Sequence, residues 1–261
     1  MALKFTLLGS GSSGNSTLVS DGNANILVDV GLSGRETVRR LAQCGLSPEK
    51  ISAIVVSHEH GDHCRGIAPF IKHLEIPIFI TDQAYAASGL EIDDGMRQRI
   101  LSGAPFEVCG IAFTPFAVPH DAADPLAFCI EKNGVRIAIV LDLGYVSNLV
   151  TERLRGCDAI IIESNHDMNM LRVGPYPWAL KQRITSRRGH LSNDGAAGFL
   201  RDGFDGRARD VVLAHLSEQN NLPELALLSA QRALEERSCL LATQTKLEVG
   251  RPHRISATFE Y

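Results

Sequence analysis

The chain has 261 residues, of which 44% are hydrophobic and 21% are charged, an ordinary composition for a globular protein with a full core. The net charge of -4 gives no overall positive field, so composition alone excludes a strongly basic nucleic-acid-binding protein. Residues 1–8 carry too little apolar sequence for a signal peptide, and no segment approaches the roughly 18 apolar residues of a membrane helix. We therefore expect residues 1–261 to form a single domain in the cytoplasm, without a membrane partner.

The first part of the chain is predicted to consist mainly of strands. Apolar, β-branched runs predict four of them, at residues 4–8, 17–20, 26–30 and 51–56. Apolar residues at helical spacing predict a helix over residues 34–44, which Gly45 ends. The glycine- and serine-rich residues 9–16 join the first two strands, either as a plain hairpin connection or as part of a binding site.

Three histidines and an aspartate lie within six positions directly after the fourth predicted strand. The motif is His58-Glu59-His60-Gly61-Asp62-His63. In an extended segment, His58 and His60 point to the same side and can share one ion, while Asp62 and His63 can turn toward a second. Imidazole and carboxylate groups bind first-row divalent metals, with zinc as the first choice. The alternative is a solvated loop that is rich in histidine by chance.

The middle of the chain is predicted to alternate short helices and strands. Helices are predicted at residues 66–74, 81–89 and 93–102. Strands are predicted at residues 76–80, 127–131 and 136–141, and two more within residues 106–118. Asn133-Gly134 separates two of these strands and is the strongest short hairpin signal. His120 and Asp142 each follow the end of a predicted strand.

The C-terminal part places further polar residues at strand ends. Strands predicted at residues 158–163 and 211–214 lead to Glu163 and His215. Helices are predicted at residues 174–186, 194–201 and 222–236, with Ser192 or Asn193 as the cap of the second, and closing strands within residues 240–261. A basic group at the end of the first of these helices is either a solvated helix end or a contact for backbone phosphate; it consists of Lys181, Arg183, Arg187 and Arg188.

The motif His-x-His-x-Asp-His after an apolar strand resembles the signature of the metallo-β-lactamase superfamily of hydrolases. The resemblance covers nearly the whole chain and is closest to the bacterial WalJ/YycJ-type branch. It rests on five further segments: Gly-Ser-Gly-Ser-Ser-Gly-Asn, Pro-His-Asp-Ala-Ala-Asp-Pro, Glu-Ser-Asn-His-Asp, Gly-His-Leu-Ser-Asn and His-Leu-Ser-Glu-Gln-Asn-Asn. That branch is associated with 5′ to 3′ exonuclease activity on DNA, and related branches include transfer-RNA processing nucleases. The resemblance implies an αββα sandwich, in which two mixed β-sheets pack face to face with helices on the outer faces.

The resemblance also implies a site for two divalent metal ions, with zinc preferred and manganese or iron as alternatives. One ion is expected to take His58, His60 and His120, the other Asp62, His63 and His215, with Asp142 bridging the two. Asp29 is expected to support the metal loops without binding metal. Ser12 and Asn15 of the glycine-rich loop are expected to contact a substrate anion, and Arg187 and Arg188 to contact phosphate.

Three residues are assigned to catalysis, namely Asp62, Glu163 and His190. By resemblance to the transfer-RNA nucleases, His190 is expected to act as a general acid held by Glu163; alternatively, it merely caps the helix that starts near Asp194. We therefore expect a metal-dependent hydrolase, most specifically a dinuclear phosphodiesterase or 5′ to 3′ exonuclease that acts on DNA, RNA or a small phosphodiester. The alternatives are a thioesterase or lactamase-like hydrolase, an iron persulfide dioxygenase, and a non-enzymatic binding module that retains the fold.

Overall fold

The computed structural model describes residues 2–237 and 244–261, and in this part of the chain two seven-stranded sheets are formed. The first sheet contains β1 (Lys4–Gly9), β2 (Ser16–Ser20), β3 (Asn25–Val28), β4 (Ala53–Val55), β5 (Ile78–Ile80), β6 (Arg97–Arg99) and β14 (Phe259–Glu260). Its strand order is β14-β1-β2-β3-β4-β5-β6. The pairs from β14 to β3 are antiparallel, whereas those from β3 to β6 are parallel, so this sheet is mixed.

The second sheet has the same size and is also mixed. It contains β7 (Phe106–Val108), β8 (Ile111–Ala117), β9 (Leu126–Lys132), β10 (Val135–Val140), β11 (Ala159–Glu163), β12 (Asp210–Ala214) and β13 (Lys246–Val249). Its strand order is β13-β12-β11-β10-β9-β8-β7. The strands from β10 to β13 are parallel, and those from β7 to β10 are antiparallel.

Helices cover the outer faces of both sheets. They are α1 (Gly34–Gln43), α2 (Gly61–Cys64), α3 (Ile67–Ile71), α4 (Asp82–Ser88), α5 (Asn148–Leu154), α6 (Met168–Val173), α7 (Trp178–Ile184), α8 (Asn193–Gly198) and α9 (Pro223–Glu235). A π-helical turn (Phe199–Gly203) continues α8. In residues 2–237 and 244–261, no helix combines the length and the apolar character that crossing a membrane requires.

The hydrophobic core forms three layers because the central strands are buried on both faces. In β11, Ile161 packs between the two sheets, while its neighbours Ile160 and Ile162 pack against the helices outside the second sheet. In β3, Leu27 likewise faces the helices outside the first sheet. Successive residues of a strand point to opposite faces, so continuous apolar runs are what such strands require. The predicted αββα sandwich is confirmed.

Several predicted elements are confirmed and one is wrong. The hairpin at Asn133-Gly134 forms, with φ of 51° and 82° at the two residues. The helix predicted over residues 93–102 is absent: a turn around Asp93 leads into β6, which pairs in parallel with β5. Arg99 of β6 forms an ion pair with Asp82 at the start of α4 (2.8 Å), so tertiary contacts override the local helical pattern. The predicted closing strands include β13 and β14, but residues 240–243 lie outside the described part.

Candidate metal centre

The predicted metal ligands follow the ends of strands from both sheets. His58 and His60 come after β4, His120 after β8, Asp142 after β10 and His215 after β12, while Asp62 and His63 lie on α2. Neighbouring parallel strands end at the same edge of a sheet, and this brings together loops that are far apart in the sequence. The structure collects all seven residues in one buried or half-buried cluster.

Three residues that end strands at the cluster have a left-handed backbone: Asp29 (φ 61°), Asp142 (φ 55°) and His215 (φ 54°). Residues with a Cβ atom rarely adopt positive φ, and such a conformation costs about 1–3 kcal/mol. Hydrogen bonds hold it in place; for example, the backbone N–H of His215 donates to Ser10 Oγ (2.7 Å). The chain therefore leaves each strand sharply and turns a polar side chain into the cluster.

The first group of ligand atoms belongs to His58, His60 and His120, and these atoms lie within 4.8 Å of one another. His120 Nδ1 lies 3.0 Å from the Gly189 carbonyl oxygen, which can only accept, so Nδ1 is the donor and Nε2 is the ring atom that faces His60 (3.2 Å). Burial, reinforced by the charge of the neighbouring His63, lowers the pKa of His58 well below its usual range. A neutral imidazole is the form that binds a metal ion.

The second group consists of Asp62, His63 and His215, whose ligand atoms also lie within 4.8 Å of one another. His215 Nε2 is 3.2 Å from Asp62 Oδ2. Burial lowers the pKa of His63, but the charges of Asp142, Asp29 and Asp62 outweigh it and raise the pKa well above its usual range. Three carboxylates therefore lie at or beside this group, and their negative charge attracts a cation.

Asp142 lies between the two groups. Its Oδ2 atom is 2.7 Å from His63 Nε2, and its Oδ1 atom is 3.7 Å from His120 Nε2. His58 Nε2, a buried ligand atom of the cluster, makes no hydrogen bond within the described residues. A buried polar atom without a partner costs free energy unless a ligand uses its lone pair. The residues present thus fit a dinuclear metal centre.

Asp29 lies behind the motif that contains the histidines. Its Oδ1 atom accepts from the backbone N–H of Ser57 (2.7 Å), and its Oδ2 atom accepts from Ser57 Oγ (2.8 Å). Oδ2 also lies 2.8 Å from His63 Nδ1. A carboxylate that accepts the Nδ1 proton fixes the ring and leaves Nε2 for the metal. Asp29 thus orients His63 without facing the ligand atoms itself.

Glu163, which ends β11, is buried and has four hydrogen-bond partners. Its Oε1 atom lies 2.8 Å from His190 Nδ1 and 2.9 Å from His215 Nδ1. Its Oε2 atom accepts from the backbone N–H groups of Leu143 (2.9 Å) and Leu191 (3.0 Å). Burial raises the pKa of Glu163, but the charge and hydrogen bond of His190 and the hydrogen bond of His215 lower it to about 2. The carboxylate is therefore ionised and holds both histidine rings.

A cavity of about 360 Å³ opens over the cluster. It is lined by Ser12, His60, Gly61, Asp62, Asp142, Asn165, Tyr176, Leu180, Arg183, Ile184, His190, His215 and Ser217. Of the residues predicted to bind substrate, only Ser12 reaches this cavity. Asn15 is buried instead: its Oδ1 accepts from the Gly11 N–H (2.9 Å), and its Nδ2 lies 3.1 Å from His63 Nε2. Asn15 therefore holds the loop against the metal motif and does not line this cavity.

The two arginines predicted to contact phosphate are also occupied elsewhere. The Arg187 guanidinium lies over the Tyr145 ring, 4.3 Å from its centre. Arg188 Nε donates to the His120 carbonyl oxygen (3.1 Å). Arg183 is the arginine that lines the cavity, and its Nη2 atom pairs with Asp121 Oδ1 (3.1 Å). The basic group was visible in the sequence, but the helix ends at Ile184, so only Arg183 keeps the helical phase that faces the cavity.

Comparison with known proteins identifies the family. A family model described as a beta-lactamase superfamily domain matches residues 24–216. The chain belongs to the beta-lactamase superfamily. Exodeoxyribonuclease YycJ of Bacillus anthracis, a relative within the superfamily, is 37% identical over 240 residues, which cover 91% of each chain. Exodeoxyribonuclease WalJ of Streptococcus pneumoniae serotype 2 is 34% identical over 242 residues, or 90% of each chain.

A solved structure has the same fold. The metallo-beta-lactamase fold protein YhfI from Bacillus subtilis superposes with a TM-score of 0.77 at 17% identity, over 100% of both chains. At this low identity the likeness concerns the fold alone. The family and the fold predicted from the sequence are both confirmed for this member of the beta-lactamase superfamily.

The close approach of Gly31 to the metal loop generates a prediction about the whole cluster. A Cβ atom added at Gly31 would lie 1.7 Å from the Asp62 carbonyl oxygen, whereas one added at Gly61 would meet nothing within 4 Å. We expect Gly31→Ala to lower the free energy of unfolding by about 3 kcal/mol, because the backbone at Asp62 or at residue 31 must move to make room for the added methyl group. Gly61→Ala is the matched control and should stay within about 0.5 kcal/mol of wild type. Urea denaturation of the metal-free proteins measures both, and equal stabilities would contradict the close approach.

Proposed function

We propose that this superfamily member is a metal-dependent phosphodiesterase that hydrolyses DNA stepwise from the 5′ end. The observation that carries the proposal is the similarity, over 91% and 90% of the chain, to two relatives that are both named exodeoxyribonucleases. The cluster of histidines and carboxylates supports it, because it offers ligand groups for cations beneath an open cavity. RNA and small phosphodiesters present the same charged group, so the experiment must compare these substrates.

Two divalent ions are proposed to bind in the cluster, with zinc as the first choice and manganese or iron as alternatives. One would be held by His58, His60 and His120, the other by Asp62, His63 and His215, with Asp142 between them. When bound, such a pair of ions lowers the pKa of a shared water molecule and stabilises the negative charge of a phosphodiester. The remaining steps fall to side chains of this chain.

Asp62 is proposed to orient the attacking water. Its carboxylate lines the cavity and is 24% exposed, so a water molecule can donate a hydrogen bond to it. Burial raises the pKa of Asp62, but the charges of His63 and His215 and a hydrogen bond from His215 outweigh this effect. The pKa of Asp62 therefore lies below its usual range. The group is therefore ionised at neutral pH and acts as a hydrogen-bond acceptor.

His190 is proposed to protonate the leaving alkoxide. Its Nδ1 atom is held by Glu163, so Nε2 is the atom left to donate toward the cavity that the ring lines. Burial lowers the pKa of His190, but the charge and hydrogen bond of Glu163 raise it above its usual value, which favours the protonated form. The helix-capping role considered for His190 belongs to Ser192, whose Oγ accepts from the Gly195 N–H (3.0 Å).

Residues 1–261 are proposed to work as a single domain. Strands from both sheets contribute to one core cluster, in which Val28 and Val55 of the first sheet pack with Ile139 and Ile161 of the second. A cytoplasmic location is proposed because the nucleic-acid substrate is found there. Neither a membrane nor a second protein is needed for the proposed reaction.

Hydrolysis of labelled oligonucleotides tests the proposed reaction. The chelator-treated protein should be inactive, and zinc, manganese or iron should restore cleavage of a 5′-phosphorylated DNA strand and of bis(p-nitrophenyl) phosphate. Product ladders from strands labelled at either end reveal the direction of cleavage. An RNA strand of the same sequence shows whether the enzyme requires deoxyribose. His58→Ala should abolish turnover, whereas His73→Ala is the control, because His73 is exposed and remote from the ligands. Cleavage of a thioester or a lactam, with no phosphodiester cleaved under any of the three metals, would overturn the proposal.

The role of His190 predicts a dependence on the leaving group. His190→Ala should retain the fold and the bound metal but lose roughly 10²- to 10⁴-fold in turnover of an oligonucleotide, whose alkoxide needs a proton. The loss should be much smaller for bis(p-nitrophenyl) phosphate, since p-nitrophenolate departs without one. Metal analysis and the two turnover rates provide the measurement. Equal damage to both substrates, or loss of metal, would assign His190 to structure or to metal binding.

A further inference from the structure

The segment that contains α6 and α7 carries an exposed tryptophan beside the metal cavity. Trp178 is the single tryptophan of the chain, and 71% of it is exposed. Val173, at the end of α6, is 83% exposed. A groove of about 180 Å³ runs beside the indole ring, and Met168 and Leu171 contribute to its floor. Large apolar side chains that stay exposed next to one another mark a binding surface more often than an accident of packing.

Helix α7 separates this groove from the metal cavity. Trp178, Lys181 and Gln182 line the groove, while Leu180, Arg183 and Ile184 line the cavity. The two sets alternate with the helical period, so each occupies one face of α7. Arg183 lies five positions after the tryptophan, which is about 7.5 Å along a helix axis and close to the rise of two stacked nucleotides.

The same segment is strongly basic in a chain whose net charge is -4. Residues 168–193 contain no aspartate or glutamate, and their cations are Arg172, Lys181, Arg183, Arg187 and Arg188. Arg172 and Arg183 are exposed, and Arg183 also pairs with Asp121. A local cluster of cations on an otherwise acidic protein attracts a polyanion to this place in particular.

The corner between α6 and α7 is fixed before any ligand binds. Lys181 Nζ donates to the carbonyl oxygens of Arg172 (2.7 Å) and Gly174 (2.8 Å) and so ties the two helices together. A Cβ atom added at Gly174 would lie 2.3 Å from Asn220 Oδ1, so this corner packs closely against the loop before α9. A preformed platform loses little conformational entropy when it binds.

We propose that the α6–α7 surface, defined by Met168, Leu171, Arg172, Trp178, Lys181 and Arg183, binds a single nucleic-acid strand. An unpaired base stacks on the Trp178 ring, and the backbone passes Arg183 into the metal cavity. Aromatic side chains stack on any unpaired base, whereas a base inside a duplex offers no free face. This inference rests on the proposed nuclease function and adds to it the form of nucleic acid that enters the cavity.

Tryptophan fluorescence tests the inference directly, because the only indole of the chain lies in the surface. The full chain in EDTA, which prevents cleavage, is titrated with oligo(dT), oligo(U) and a DNA duplex of equal length. We expect saturable quenching by the single strands and little change with the duplex. Binding of labelled oligo(dT), followed by anisotropy, should weaken about tenfold in Trp178→Ala and stay within about threefold in Trp178→Phe, which keeps a stacking ring.

The charge of the surface is tested with a matched pair of arginine variants. Arg172→Gln should weaken binding and reduce the salt dependence by about one ion, whereas Arg232→Gln, an exposed arginine on α9, should change neither. The inference would be overturned if oligo(dT) did not quench the fluorescence of the wild-type protein and Trp178→Ala bound labelled oligo(dT) with unchanged affinity. This holds even if the oligonucleotide is hydrolysed. Quenching and weakened variants without any hydrolysis would support it while refuting the proposed reaction. Sedimentation of the protein alone is the last arm: a dimer lost in Trp178→Ala would assign the surface to a second copy of the chain and overturn the inference.

Discussion

The site depends on the left-handed backbone at the ends of β3, β10 and β12. Asp29, Asp142 and His215 leave their strands with φ near 55–61°, which no residue with a side chain adopts without a cost. In the described chain, the other two non-glycine residues with positive φ, Cys109 and Asn133, lie in hairpin turns, where this conformation is ordinary. At the cluster, the free-energy cost of a positive φ thus falls on residues that are ligands or that orient a ligand.

A second consequence of these strand ends is the concentration of buried charge. Asp29, Asp142 and Glu163 are nearly or fully buried, and each carboxylate contacts at least one histidine ring. Burying a carboxylate costs several kcal/mol unless opposite charge and hydrogen-bond donors surround it. Asp29 and Glu163 meet this need with backbone N–H groups and histidines, whereas in the described chain the Asp142 carboxylate is met by histidine rings alone. The carboxylate without backbone donors is therefore the one between the two groups of histidines, where a cation fits.

Much of this arrangement could be predicted from the sequence, and the failures have physical causes. The strand ends and the hairpin at Asn133-Gly134 were accessible, because apolar runs and turn residues are local signals. The strand β6 was missed, since its partner β5 is remote in sequence and local pattern favoured a helix. Asn15 was assigned to substrate because its loop borders the metal site in the family that the sequence resembles, but local sequence does not reveal which polar side chain turns inward.

The case of the arginines illustrates the same limit at finer scale. Arg183, Arg187 and Arg188 have the same side chain and lie close together in the sequence, so the sequence does not distinguish them. Helix α7 ends at Ile184, and of these three arginines only Arg183 lines the cavity. Capping and packing set that end, and neither is visible in the local charge pattern. Exposed Trp178 was likewise unremarkable in the sequence, because its exposure depends on how α6 and α7 meet.

The buried cluster is proposed to hold two cations with Asp142 between them. Anomalous diffraction from crystals grown with zinc or manganese tests this proposal most directly, because each bound ion gives its own peak. We expect two peaks, one beside His58, His60 and His120 and one beside Asp62, His63 and His215. The variant Asp142→Ala should lose at least one of them. A single peak in the wild-type protein at saturating metal, or two peaks that Asp142→Ala leaves intact, would contradict the proposal.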